Sequence, residues 1–221
     1  MGTYGQYCPI ARTAEIFAQR WTPIIVRNLL VGCRTFGELR EGAPGIPKAL
    51  LADRLASLAR HGILERVPAD SGRAVRYELT QRGRALKPLC DAMGAWGMEW
   101  LELQPEHTDP AYVVWATSRL VNTEVLPARR VVVRLELSDS AERARYWMLL
   151  RPQQAAEVCT AYPGGDENLV VETTAATLAR WHLRELTYAQ AVRRGLLRVT
   201  GEPALVRAWP TWIRPSPHAA N

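Results

Sequence analysis

The hydrophobic side chains of the first sixty residues recur three or four positions apart, which is the spacing of one helix face. Thr22 and Thr35 are typical N-caps before two of these stripes, and Gly32 is a typical stop signal. The predicted helices cover residues 9–18, 22–31, 36–39 and 47–61. The turn 42–45, which contains two glycines and a proline, separates the last two helices.

The hydrophobic pattern then changes from helical spacing to alternation. Residues 63–67 and 74–79 alternate as strands, and the stretch 68–73 between them has the composition of a hairpin loop. A single helix is predicted to begin after Thr80 and to continue to Trp100. Two helices joined by a tight turn and followed by a hairpin predict a winged helix-turn-helix.

The second half of the chain mixes strands and helices. Residues 104–110 are polar and bounded by prolines, which is typical of a linker. A connecting helix and alternating strands follow, then a helix capped by Thr174 that continues through Leu186, a second helix capped by Thr187, one more strand and a final helix. This order predicts an α+β layer. The predicted domains are 1–103, a linker and connecting helix at 104–124, 125–215, and a tail at 216–221.

Composition and charge narrow the classes of function. The 221 residues are 48% hydrophobic, and no apolar run or basic leader suggests a membrane span or a signal peptide, so a cytoplasmic protein is expected. The net charge of +6 is compatible with a nucleic-acid partner. Residues 1–103 hold 14 Lys and Arg against 10 Asp and Glu, and residues 104–221 hold 14 against 12. The four scattered cysteines predict neither a zinc site nor a disulfide scaffold, and no cofactor is expected.

The helix at 47–61 is the candidate for entry into the major groove. Its apolar stripe must face the core, so its opposite face is exposed and contains Pro47, Lys48, Ala49, Ala52, Asp53 and Arg54. Lys48 and Arg54 are its only long cations, and we expect them to contact base edges. Arg73 and Arg76 of the hairpin are expected to contact the sugar-phosphate backbone. Charges on one helix face are also typical of a merely solvated surface.

Several segments of residues 5–103 resemble the HxlR family of bacterial winged-helix transcription regulators. They are CPIAR (8–12), RWTPII (20–25), RTFGELR (34–40), GIPKALL (45–51), RLASL (54–58), GILER (62–66) and RYELTQRG (76–83). The resemblance implies a homodimer on a pseudo-palindromic operator, with dimer contacts from the first and last helices. Met93, Trp96 and Trp100 fit such contacts. Arg20 replaces the lysine that is usual in the family.

Cys8 matches a position at which some members of this family have a cysteine that senses oxidants. It precedes Pro9 at a predicted helix start, and Arg12 lies one turn further on, which would favour a thiolate. The alternative is a small hydrophobic side chain near the dimer contact, the commoner state of a free cysteine.

The order of elements after residue 125 resembles the sterol carrier protein 2 fold. The segments that resemble it are DENLVVET (166–173), LARWHLRE (178–185), AQAVRRG (189–195) and GLLRVTGEP (195–203). The resemblance implies one curved sheet with helices on one face and an apolar tunnel between them. Candidates for the wall of a ligand pocket are Trp115, Trp147, Trp181 and Trp209, although each could equally fill a core.

The sequence therefore predicts a dimeric, ligand-responsive regulator that binds operator DNA and senses a small apolar molecule through its second domain. The alternative is a carrier of lipids or apolar metabolites whose winged helix serves dimerisation or protein docking. No set of nucleophile, base and acid, and no paired carboxylates are evident, so an enzyme is not expected.

Overall fold

The computed structural model describes residues 3–68, 75–139, 144–217 and 219. Its internal contacts divide the chain into two units, Met1–Gly94 and Ala95–Asn221. The division lies within the last helix of the winged-helix region, earlier than the predicted domain boundary after residue 103.

The first unit is mostly helical and has a short hairpin. Its elements are α1 (Pro9–Phe17), α2 (Thr22–Leu30), α3 (Phe36–Glu41), α4 (Lys48–Arg60), β1 (Leu64–Pro68), β2 (Val75–Leu79), α5 (Gln81–Arg84) and α6 (Lys87–Trp100), which continues into the second unit. Its buried side chains are mainly aliphatic and include Ile25, Leu29, Leu51, Leu55 and Leu58. This order of helices followed by a hairpin is the predicted winged helix-turn-helix.

The single long helix predicted after Thr80 is wrong, because the chain forms two helices there. Thr80 caps α5, accepting a hydrogen bond from the Gly83 amide at 3.1 Å, but that helix ends at Arg84. Pro88 lies in the first turn of α6. Proline is tolerated there but would clash with the preceding turn of an uninterrupted helix, so the break precedes it.

Another local prediction also fails at the start of α2. Trp21, not Thr22, is the N-cap residue, and its side chain makes no capping hydrogen bond. Thr22 is instead buried as the first helical residue.

β1 and β2 form the predicted antiparallel hairpin, with Leu64 opposite Leu79 and Pro68 opposite Val75. The loop predicted at 68–73 falls almost entirely on residues 69–74, which lie outside the described residues together with Arg73.

The second unit is a five-stranded sheet with helices. After a short 3-10 turn at Pro105–His107, its elements are α7 (Pro110–Leu120), β3 (Val131–Leu137), β4 (Ala144–Leu150), β5 (Glu157–Cys159), β6 (Leu169–Thr173), α8 (Ala175–His182), α9 (Tyr188–Arg193), β7 (Arg198–Gly201) and α10 (Pro203–Trp212). The strand order is β5-β4-β3-β6-β7, in which β3 and β6 are parallel and the other neighbours are antiparallel.

The two faces of this sheet differ because successive side chains point to opposite sides. One face packs against the helices, and the resulting core contains Val133, Leu135, Met148, Leu169, Val171, Val114, Leu178, Leu205, Trp209 and Trp212. The other face presents the side chains that alternate with these, and Arg134, Glu136 and Arg145 are among them. The sheet is therefore apolar towards the helices, and its opposite side combines these charged side chains with apolar ones such as Val132 and Leu149.

The helix that follows Thr174 ends earlier than its apolar pattern predicts. Thr174 accepts a capping bond from the Thr177 amide at 3.0 Å, but α8 stops at His182 because Arg184 adopts a left-handed backbone conformation with φ 63°. Of the predicted tail, residues 218, 220 and 221 lie outside the described residues, whereas the Ser216 amide donates to the His182 carbonyl at 2.8 Å.

Across the described ranges, none of the helices combines the length and the apolar character that crossing a bilayer requires.

Candidate nucleic-acid interface

Helix α4 has one buried face and one exposed face. Leu51, Leu55 and Leu58 are buried, as their spacing predicts. Pro47, Lys48, Ala49, Ala52 and Asp53 are all exposed. The structure therefore brings five of the sequence-predicted positions together on the free surface of one helix.

Local contacts fix the orientation of α4 through the turn that precedes it. The Asn28 side-chain amide is buried in α2 and donates to the Leu39 carbonyl at 3.3 Å, while Arg27 Nη2 donates to the Gly42 carbonyl at 2.8 Å. Gly45 has a φ of 83°, which only glycine adopts without strain. The turn between α3 and α4 is thereby held against α2, and these contacts fix the orientation of α4 and of its exposed face.

A capping box fixes the start of α3. The Thr35 hydroxyl accepts from the Glu38 amide at 3.2 Å, and the Glu38 carboxylate accepts from the Thr35 amide at 2.9 Å. Two helix-terminal N–H groups are satisfied in this way. The same carboxylate also accepts from the Arg34 amide at 2.8 Å, so that α3 begins at a defined residue.

The hairpin presents further cations. Arg76 is exposed and lies opposite Val67 in the ladder. Arg66, which the sequence argument did not single out, is also exposed and lies opposite Tyr77. The Tyr77 amide donates to the Arg34 carbonyl at 2.7 Å, so the hairpin is joined to the segment before α3.

A second group of cations lies where α4 meets the start of α2. Arg54 is half-buried, and its Nε donates to the Arg20 carbonyl at 3.3 Å. Arg20 is exposed, and its guanidinium carbon lies 5.4 Å from the centre of the Trp21 ring. We name Arg20, Trp21 and Arg54 the arginine corner. Sequence reasoning noted Arg20 only as a departure from the family pattern, because Arg20 and Arg54 are 34 residues apart.

Trp21 has an unusual backbone conformation. Its φ is 76° and its ψ is −22°, in the left-handed region that a bulky residue rarely adopts. Such a conformation costs roughly 1 to 3 kcal/mol and persists only where its surroundings stabilise it. Trp21 lies in the turn between α1 and α2, next to Arg20, whose carbonyl accepts from Arg54 of α4.

Lys48, Arg20 and Arg54 share an electrostatic property. Within the described ranges, none of the three has a carboxylate at ion-pair distance. The arginines of the sheet face are different. Arg134 Nη1 lies 2.8 Å from Glu167 Oε2, and Arg145 Nε lies 3.3 Å from Glu136 Oε1. The cations of the α4 surface are therefore not paired with a carboxylate within the described ranges, while Asp53 is exposed on the same face.

Cys8 is half-buried at the N-cap position of α1, and its carbonyl accepts from the Arg12 amide at 3.0 Å.

The thiol of Cys90 differs from that of Cys8 in being buried. Burial raises the pKa of the Cys90 thiol, so Cys90 is held in its less reactive protonated form. Among the described residues, no group of His, Cys, Asp and Glu side chains could hold a metal ion.

The four candidate tryptophans of the second unit occupy different environments. Trp115 and Trp209 are buried, and Trp209 belongs to the core between sheet and helices. Trp147 lies on β4 between residues of the core face, so it points to the opposite, charged face, where its Nε1 donates to Glu167 Oε1 at 2.7 Å. Trp209 and Trp147 are thus separated by the sheet.

Trp181 is half-buried and lines a surface pocket of about 490 Å³. Its ring centre lies 5.5 Å from that of Tyr188, and Leu186, Ile213 and Arg214 contribute to the same pocket. Burial raises the pKa of the Tyr188 hydroxyl, so the hydroxyl stays protonated near neutral pH.

Comparisons with known proteins match the first part of the chain. The HxlR-like helix-turn-helix family matches residues 16–105. The HTH-type transcriptional regulator sll1512 of Synechocystis is 36% identical over 99 residues, which is 44% of this chain and 73% of that protein. The regulator YvaP of Bacillus subtilis is 30% identical over 44% of this chain and 92% of its own length. The solved structure of the reduced transcriptional regulator YodB from B. subtilis is 32% identical over 44% of this chain and 97% of that chain, with a TM-score of 0.39.

Proposed function

Because the chain belongs, through residues 16–105, to the HxlR-like helix-turn-helix family, we propose that it is a transcription regulator that binds operator DNA. The observation that carries the proposal is the exposed face of α4, whose cations have no carboxylate partner among the described residues. A duplex carries a dense row of phosphate charges, which such a surface attracts. The proposal places the protein with the chromosome, in the cytoplasm.

In this proposal α4 enters the major groove and its first turn faces the base edges. Lys48 is the first helical residue, and its ammonium suits guanine acceptors. Ala49 and Ala52 are small enough to let the helix approach closely, and the alanine methyl groups suit the thymine methyl. Arg76, and Arg73 outside the described residues, would contact the sugar-phosphate backbone beside the groove.

We further propose that the protein acts as a homodimer. Leu89, Met93, Trp96 and Trp100 are exposed, and their spacing of four, three and four residues puts them on one stripe of α6. Tyr7 and Ile10 at the start of α1 are also exposed. A second copy that covers this stripe would remove large apolar side chains from water, which supports a dimer on two half-sites about one helical turn apart.

The experiment is a selection of duplexes from random sequence by the purified protein, followed by titration of an enriched duplex across salt concentrations. If about six phosphates are contacted, the logarithm of the affinity falls with the logarithm of salt with a slope of about −5. Failure to enrich or bind any duplex at low salt would instead favour the alternative, a carrier whose winged helix serves dimerisation or protein docking.

A second function is proposed for the second unit, which is the sensing of a small apolar ligand. The pocket beside Trp181 and Tyr188 supports it, because aromatic walls with a few polar groups are typical of ligand sites. The mixed five-stranded sheet with helices on its apolar face supports a sterol-carrier-like fold. Calorimetry of the full chain with fatty acids, sterols and aromatic acids tests this, and binding is expected with a negative heat-capacity change. No heat with any of them would leave the unit a scaffold.

Redox sensing by Cys8 stays a prediction, supported by its position at the start of α1. Diamide treatment tests it. The wild-type chain is expected to lose duplex binding after treatment and to regain it with dithiothreitol, whereas Cys8→Ser is expected to keep its binding throughout. Unchanged binding after treatment would favour the alternative of a small packing side chain.

A further inference from the structure

We infer that the arginine corner of Arg20, Trp21 and Arg54 is a binding site for the phosphate backbone of the duplex, and that Arg54 grips the backbone and does not contact bases. The inference rests on the proposed function and adds a site that Arg54 of α4 shares with the segment before α2. It also changes the role that the sequence suggested for Arg54.

The position and hydrogen bonding of Arg54 favour a contact with the backbone over a contact with bases. Arg54 lies six residues after Lys48, so it belongs to the second turn of α4 and is further from the end that enters the groove first. Its Nε is already engaged by the Arg20 carbonyl. Nη1 and Nη2 remain free donors, but the hydrogen bond through Nε restrains the side chain towards the segment before α2. With Nε engaged and its side chain half-buried, Arg54 keeps its terminal amino groups for a single oxyanion beside the helix.

Arg20 is an exposed cation that is restrained beside Arg54. It is exposed and has no carboxylate partner in the part of the chain that the structure describes. Its guanidinium is restrained over the Trp21 ring, which reduces the entropy that an extended arginine loses on binding. The hydrogen bond from Arg54 to the Arg20 main chain brings both side chains to one corner. Two arginines without a carboxylate on a restrained platform are suited to phosphate oxygens.

The backbone conformation of Trp21 is strained. A glycine would adopt this φ without cost, yet the position holds a bulky indole. The ring is half-buried and at the same time supports the Arg20 guanidinium. Strained residues of this kind cluster at functional sites. In the arginine corner, the strained residue supports the guanidinium that would bind phosphate.

The test compares variants on an enriched duplex and on a random duplex of equal length. Arg20→Ala is expected to weaken binding to both by about tenfold, because phosphate contacts carry no sequence information. The salt slope is expected to become shallower by about one for each protomer bound. Arg20→Lys keeps the charge and is expected to keep the slope. Arg54→Ala is expected to show the same uniform loss as Arg20→Ala.

Arg207→Ala is the matched control, because it removes one exposed arginine of α10 that has no ion pair within the described ranges. It is expected to leave affinity and slope unchanged. The inference is overturned if Arg20→Ala binds both duplexes like the wild type, or if either corner variant loses affinity for the enriched duplex alone. Absence of any duplex binding by the wild-type chain would overturn the proposed function as well, which separates the two failures. Thermal midpoints check that each variant is folded.

Discussion

The free face of α4 and the charged face of the second unit's sheet both present cationic side chains, but these side chains differ in their partners. On α4 and the arginine corner, Lys48, Arg20 and Arg54 have no carboxylate partner within the described ranges. On the sheet face, Arg134 bridges Glu136 and Glu167, and Arg145 shares Glu136. The formal charges of the two halves, +4 and +2, differ little. The state of pairing of each cation, and not net charge, distinguishes the surface suited to DNA.

The largest expected effect concerns the core beneath the sheet. Trp209 is completely buried and meets Trp212 edge-on at 6.1 Å. Trp209→Ala is expected to lower the free energy of unfolding by about 3 to 5 kcal/mol, because it removes a large buried ring and leaves a cavity. Urea unfolding measures this, and Trp181→Ala, at a half-buried position, is the control with a smaller loss. Equal losses in both variants would contradict the assignment of Trp209 to the core.

The next effect depends on pH and belongs to the second unit alone. His182 is buried, and burial lowers its pKa from 6.5 to about 4. Its Nε2 lies 3.3 Å from the Thr117 hydroxyl, which donates its own proton to the Val113 carbonyl. Nε2 therefore donates to that hydroxyl, and the imidazole is neutral.

Between pH 6.5 and pH 4 the unfolded chain takes up a proton at His182 that the folded chain does not. The free energy of unfolding is therefore expected to fall as the pH drops through this range, by up to about 3 kcal/mol. Urea unfolding at pH 7 and pH 4.5 measures the loss, and His182→Gln is expected to reduce it. An equal loss in the variant would assign the acid sensitivity to the carboxylates instead.

Lys48→Ala removes one exposed cation from the free face of α4. Affinity for the enriched duplex is expected to fall by about 1 to 3 kcal/mol, more than affinity for random DNA, because a base contact is lost. The thermal midpoint is expected to stay unchanged, since Lys48 is exposed and unpaired in the described structure. Arg145→Ala on the sheet face is the control, with no change in affinity. Equal loss in Lys48→Ala and Arg145→Ala would show that the two faces do not differ in their contact with DNA.

The smallest effect is the converse variant, Arg134→Ala. Its guanidinium pairs with two half-buried carboxylates, so unfolding is expected to become easier by about 1 kcal/mol after allowance for solvent screening. Duplex affinity is expected to stay the same. Loss of duplex affinity without loss of stability would place the sheet face in the nucleic-acid interface.

Features that depend only on neighbouring residues could be predicted from the sequence. The caps at Thr35, Thr80, Thr174 and Thr187 are confirmed, because each hydroxyl bonds to an amide three residues away. The buried stripe of α4 is confirmed as well, since helical spacing determines it. Both signals lie within one or two turns of the chain.

Features that depend on distant residues could not be predicted in this way. The left-handed Trp21 contradicts its local preference, and the Arg54 to Arg20 bond joins two helices. The outward direction of Trp147 depends on the register of β4 against β3. Tryptophan content therefore indicated aromatic walls without indicating on which side of the sheet each ring lies.

Hydrogen–deuterium exchange of the full chain with and without an enriched duplex locates the surface that contacts DNA. The amides at the start of α4 have no partner within the helix, so contact with DNA is expected to slow their exchange strongly. We expect protection at residues 46–54 and 20–22, and unchanged exchange across Val131–Leu137 and Ala144–Leu150. Protection of the sheet strands with unchanged exchange at α4 would show that DNA contacts the second unit and not α4.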